Sequence, residues 1–133
     1  MPVRAVRGAT QVDIDESAHL LDRVVELVST VLTRNGLADE DLISIVFTAT
    51  ADLQSEFPAY AARRMGLHDV PLLCARELEV PGAMPRVIRL LAHVETDLHR
   101  AEVTHVYLHG AARLRRDLTN VHAAEDSVST VRA

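Results

Sequence analysis

Residues 86–96, RVIRLLAHVET, decide the fold. Periodicity alone allows either helix or strand here. Read as a strand, the segment puts Val87, Arg89, Leu91, His93 and Glu95 on one face and Ile88, Leu90, Ala92 and Val94 on the other. The second set is wholly apolar, which suits a sheet whose one face lies under helices, so strand is favoured. The preceding VPGAMP, residues 80–85, contains Pro81, Gly82 and Pro85. It can continue neither a helix nor a central strand and reads as a loop.

Working outward, VPLLCA at 70–75 reads as a strand ending near Cys74, and LISIVFTAT at 42–50 as a β-branched, buried strand. PVRAVRG at 2–8 reads as a first strand ended by Gly8, and VTHVYLHG at 103–110 as the last. Two segments carry helical signals. Ser17 is placed as the N-cap of a helix over AHLLDRVVELVSTVLTRN, with Leu20, Leu21, Val24, Val25, Val28, Val31 and Leu32 at helical spacing and Gly36 just past the end. LQSEFPAYAARRMG supplies a shorter helix with Pro58 in its first turn and Gly66 as the stop. Asp39, Glu40 and Asp41 form a solvated connection, and AARLRRDL at 111–118 reads as an extended or turn-like finish.

Residues 1–118 are therefore expected to form one domain, and residues 119–133, which show no apolar period, a mobile C-terminal tail. The order β, α, β, α, β, β, β describes an α+β fold: a mixed five-stranded sheet with two helices, which at this size cover one face. The other face needs protection, and oligomerisation is the economical answer.

Composition narrows the function classes. A chain of 133 residues, 48% hydrophobic and 25% charged, has enough apolar content for one compact core. A single cysteine excludes an internal disulfide framework, and no basic start precedes an apolar h-region, so a cytoplasmic protein is expected. No apolar run reaches the roughly 18 residues of a membrane span. A net charge of −5 with 3% aromatic residues and no basic block argues against nucleic acid as a partner. All 14 basic residues are arginine, which codon usage explains, so position rather than number carries the argument.

Arg7, Cys74, Glu77, Arg89 and Tyr107 lie in or beside apolar, strand-like runs. Grouped around one pocket, they would hold a small anion. Each also has a plainer reading: a structural ion pair for Arg7 or Arg89, a small buried hydrophobe for Cys74, a surface pair with Arg76 for Glu77, a core edge for Tyr107. The chain offers no Ser/His/Asp arrangement and no glycine-rich phosphate loop, and its 7 histidines, scattered through helix starts, loops and strands, read as solvated or packing residues. The chemistry implied is binding and charge placement.

The chain resembles the small, β-rich, trimeric class of monofunctional chorismate mutases. The resemblance runs from residue 1 to about 118 and rests on RGAT at Arg7–Thr10, TATADLQSEFPA at Thr48–Ala59, VP at Val70 and Pro71, Cys74 with Glu77, IR at Ile88 and Arg89, HVYL at His105–Leu108, and LR then DL within Leu114–Leu118. It implies a homotrimer forming a pseudo α/β barrel, with active sites between neighbouring subunits, that converts chorismate to prephenate on the route to phenylalanine and tyrosine. It implies no metal and no cofactor. By the same resemblance Arg89 donates to the ether oxygen and a carboxylate of the substrate, Arg7 and Tyr107 hold the enolpyruvyl carboxylate, Glu77 accepts from the ring hydroxyl, and Cys74 donates to or packs against it. Phe57, Ala59, Leu73 and Leu114 form apolar walls, and Arg63 and Arg115 supply positive potential at the entrance. Tyr60 lines the site where the family pattern often has Lys, and the tail after Leu118 departs from the pattern.

Two other classes stay open: an enamine/imine deaminase of a similar trimeric fold, and a non-catalytic trimer that binds an aromatic-pathway metabolite. Loss of the conjugated diene of chorismate on adding protein discriminates both from a mutase.

Overall fold

The structure, a computed structural model, describes residues 1–114. Its strands are β1 (Val3–Gln11), β2 (Leu42–Ala49), β3 (Leu72–Arg76), β4 (Val87–Glu95) and β5 (Val106–Leu108), with helices α1 (Ser17–Arg34) and α2 (Pro58–Arg64). The strands form one sheet in the order β3-β2-β4-β1-β5. β4 runs antiparallel to both β1 and β2, while β3 pairs parallel with β2 and β5 parallel with β1. The fold is thus α+β with a mixed five-stranded sheet.

The alternation in β4 sets the layers. Ile88, Leu90, Ala92 and Val94 are buried, whereas Leu91 and Glu95 are exposed and Arg89 and His93 half-buried. The buried set joins Val6 of β1, Ile45 and Phe47 of β2, and Leu20, Leu21, Val24, Leu27, Val28, Val31 and Leu32 of α1 in one cluster that also takes Ala59, Ala61 and Ala62 of α2. Both helices therefore cover the same face. The opposite, open face carries Val3, Ala5 and Arg7 of β1, Val46 and Thr48 of β2, Leu73 and Ala75 of β3, and Leu91 and Arg89 of β4, as the pairing register dictates.

Several boundaries differ from the sequence expectation. Gly8 does not end β1. It sits inside the strand, where an added Cβ would lie 3.1 Å from Leu90 Cγ and 3.2 Å from Leu27 Cδ1, so the residue is small because α1 and β4 press against it. Ser17 is the first helical residue rather than the cap; Glu16 takes the cap position and makes no side-chain capping bond. Leu27 is buried where Val25 is only partly so, since Leu27 lies beneath the Gly8 gap.

The final strand is three residues long, not eight. Asn35 explains the loss: its amide donates to Thr104 O at 2.9 Å and accepts from Thr104 N–H at 2.8 Å, removing that residue from the ladder. The Arg7 amide donates to His105 Nδ1 at 2.9 Å instead of to a strand carbonyl, so pairing with β1 begins only at Gly8 and Val106. Ala112–Leu114 are helical rather than extended. Arg115, the domain boundary at 118 and the expected tail at 119–133 lie outside the described residues.

Candidate active site

Arg89 and Glu77 meet on the open face. Arg89 Nε lies 3.1 Å from Glu77 Oε1, and the two side chains keep 35% and 20% of their surface exposed. Glu77 comes directly after β3, and its amide donates to Ala49 O at 3.0 Å, which extends the ladder by one residue and aims the side chain at β4. Its second oxygen, Oε2, accepts a hydrogen bond from the Thr48 hydroxyl. Thr48 and Arg89 are direct cross-strand partners, so the three side chains share one patch of the sheet. The Nη groups of Arg89 make no hydrogen bond or ion pair among the described residues. A guanidinium held at Nε and open at both Nη groups is suited to grip oxygens of an anion.

The same transverse row continues across the sheet. Arg89 pairs with Ala9 of β1, which pairs with Tyr107 of β5. At about 4.8 Å per strand, Tyr107 stands roughly 10 Å from Arg89 along this face. Arg7 occupies the next row, opposite Leu91, with its side chain exposed. Arg7, Arg89, Glu77 and Tyr107 thus lie on one face, with two cations in neighbouring rows.

The other expected residues do not join that row. Cys74 pairs with Phe47, which is fully buried, so its thiol points to the helix-covered side, away from Arg89. β3 is the edge strand, and its odd-numbered residues carry the ladder, with Pro71 O accepting from Ile45 and Glu77 N–H donating to Ala49. By alternation, the Cys74 amide faces the open edge. What Cys74 offers a ligand at that edge is a main-chain donor.

Near that edge are Leu73, 62% exposed, and Phe57, 70% exposed, while exposed Tyr60 and Arg63 lie on α2, which packs against β2 and β3. Phe57, Cys74, Ala75 and Arg76 line one shallow cavity of about 460 Å³. Ala59 is buried in α2 and serves the core rather than the surface. The Arg64 guanidinium lies 6.0 Å from the centre of the Tyr60 ring, so a cation accompanies the tyrosine. Leu114, half-buried, is the last described residue. One chain therefore displays two separate halves: a polar patch on the open face and an apolar rim at the β3 edge.

Sequence reasoning gave Thr48, the first residue of the TATADLQSEFPA motif, no role of its own, because a threonine in LISIVFTAT reads as β propensity. It also missed Asp15, which ties the rim in place by accepting from the amides of Gln54 at 3.0 Å and Ser55 at 3.0 Å. The neighbouring Ser55 hydroxyl first, and then the Gln54 amide, hold the Asp15 carboxyl below its ordinary range; burial opposes them, and the Ser55 amide adds least. Because the folded-state value is depressed, this contribution to stability is present above the unfolded-state value and disappears as pH falls through the folded-state one. Asp15→Ala should therefore lower Tm at neutral pH, with the difference from wild type narrowing as pH falls below the ordinary carboxylate range. Thermal melts at stepped pH values check this; a gap independent of pH would contradict it.

No group of three or more histidine, cysteine or acidic residues among the described residues is placed to hold a metal ion, and no described helix is long and apolar enough to cross a membrane. The sequence matches the family described as chorismate mutase type I over residues 3–118. It is 50% identical over 117 residues to chorismate mutase AroH of Thermus thermophilus, covering 87% of this chain and 96% of the relative. It is 35% identical over 120 residues to chorismate mutase AroH of Bacillus subtilis, covering 90% and 94%. Among solved structures, a chorismate mutase from Clostridium thermocellum superposes with a TM-score of 0.81 at 41% identity, covering 83% of this chain and 98% of that one. With the matched region spanning the whole sheet, both helices and the Arg89–Glu77 pair, the chain belongs to the chorismate mutase type I family.

Proposed function

We propose that this chain rearranges chorismate to prephenate, in the supply of phenylalanine and tyrosine, and works in the cytoplasm as a homotrimer. The observation that carries the reading is the Arg89–Glu77 pair, a held guanidinium with open Nη donors on an uncovered sheet face. The family supplies the substrate, and the site chemistry fits it. In the rearrangement one C–O bond breaks and one C–C bond forms in concert, with no proton exchanged. Catalysis then needs the dianion held in its compact conformer and a fixed cation where negative charge grows on the ether oxygen.

Arg89 meets that oxygen and an adjacent carboxylate. Arg7 and Tyr107 hold the enolpyruvyl carboxylate, and Glu77 accepts from the ring hydroxyl, to which the Cys74 amide donates. Phe57, Leu73 and Leu114 wall the substrate, with Ala59 packed behind them. Arg63 and Arg115 attract the dianion, and Tyr60 with Arg64 takes the place of a lysine at the rim. The two halves of the site lie on different surfaces of one chain, which favours assembly that brings the β3 rim of one subunit over the open face of its neighbour. Leu91 on that face and the exposed Leu73 of the rim both gain from such cover.

Incubation of chorismate with the purified chain in a chelator should give a single product of unchanged mass, read by mass spectrometry and proton NMR. A product lighter by pyruvate, or changed by water, would reject the mutase reading.

A further inference from the structure

We propose that Thr48 is a positioning residue for the mutase reaction: its hydroxyl orients the Glu77 carboxylate beside the Arg89 guanidinium before substrate arrives. The inference rests on the reading that Arg89 and Glu77 face the substrate.

Three contacts hold Glu77. Its amide is bound to Ala49 O at 3.0 Å, Oε1 faces Arg89 Nε at 3.1 Å, and Oε2 accepts from Thr48 Oγ1. The first fixes the main chain and leaves the side chain free to turn. The second is an ion pair without hydrogen-bond alignment, since Arg89 Nε is buried and has no partner of acceptable geometry. Charge attraction at that distance tolerates rotation of the carboxylate. Only the Thr48 bond is directional, and an ionised carboxylate can only accept, so the hydroxyl proton has one direction to take. Thr48 is placed for this by the sheet: it pairs with Arg89 across the β2–β4 ladder and precedes Ala49, the anchor of the Glu77 amide. The strand therefore holds the acid at two successive residues and presents it to the cation opposite. A threonine suits the task because its branched Cβ restricts χ1 in a strand.

The test compares Thr48→Val, which keeps the shape and loses the hydroxyl, with Thr48→Ser, which keeps the hydroxyl and loses the methyl. Thr48→Val should lower kcat about tenfold with little change in KM, the scale of one hydrogen bond to a charged group. Thr48→Ser should retain most of the turnover. In a Glu77→Ala background Thr48→Val should cost nothing further, because its target is gone. Thr48→Val at wild-type kcat, a Thr48→Ser variant equally impaired, or an undiminished loss in the Glu77→Ala background would overturn the proposal. A crystal structure of Thr48→Val is independent of turnover: Glu77 should leave its place beside Arg89, and a carboxylate unmoved from it would overturn the positioning role. Failure of the wild-type chain to convert chorismate would instead remove the reaction and leave this structural outcome still decisive for Thr48.

Discussion

Arg89→Ala is expected to lower kcat by at least about 10²- to 10³-fold, roughly 3–4 kcal/mol of transition-state stabilisation, with the assembly and Tm little changed. The charge that grows on the breaking C–O bond exists only in the transition state, so its cation contributes to kcat more than to substrate affinity. Arg89→Lys should recover part of the loss: it restores a charge but not the planar fork that engages Glu77 at Nε while presenting two Nη groups. Steady-state kinetics on both variants, with sedimentation to check assembly, decide the point. Near-normal turnover in Arg89→Ala would remove Arg89 from the role given to it.

Leu91→Asp is expected to dissociate the homotrimer proposed above and abolish most of its activity while leaving the subunit folded. Leu91 lies on β4 at the middle of the open face, between Val46 and Arg7, and is 38% exposed in the single chain. A carboxylate there is tolerable in a monomer because water reaches it. Covered by a neighbour it would be an uncompensated buried charge, with a penalty of several kcal/mol per subunit. Sedimentation should report monomers, circular dichroism an intact sheet, and the assay a loss of about 100-fold or more, since each site would lack its rim. A fully active trimer carrying Leu91→Asp would show that this face is not the interface.

The layers of the fold were legible because β4 separates its residues so cleanly. An apolar alternate face could only be the covered one, and its partners in β1 and β2 follow from register. Gly8 was misread for a physical reason: a glycine needed for close approach of Leu90 and Leu27 looks in sequence like one that stops a strand. The length of β5 was hidden as well, because the side chains of Asn35 and His105 take main-chain partners from it over 69 and 98 positions.

The site was legible in part. Arg89, Glu77, Arg7 and Tyr107 stand out as polar residues in apolar strands, and they do share a face. The side of the sheet taken by Cys74 could not be read, since it depends on pairing with Phe47 in a parallel neighbour. Thr48 had no assigned role because its hydroxyl meets Glu77, 29 positions away, only in the folded chain.

The most direct measurement of the central claim is the ultraviolet absorbance of chorismate with and without the purified chain, in buffer containing a chelator. The diene is lost as prephenate forms, so the absorbance should fall steeply with wild-type protein, in proportion to its concentration, and far more slowly with Arg89→Ala. Absorbance that declines no faster with micromolar wild-type protein than in buffer alone would contradict the account.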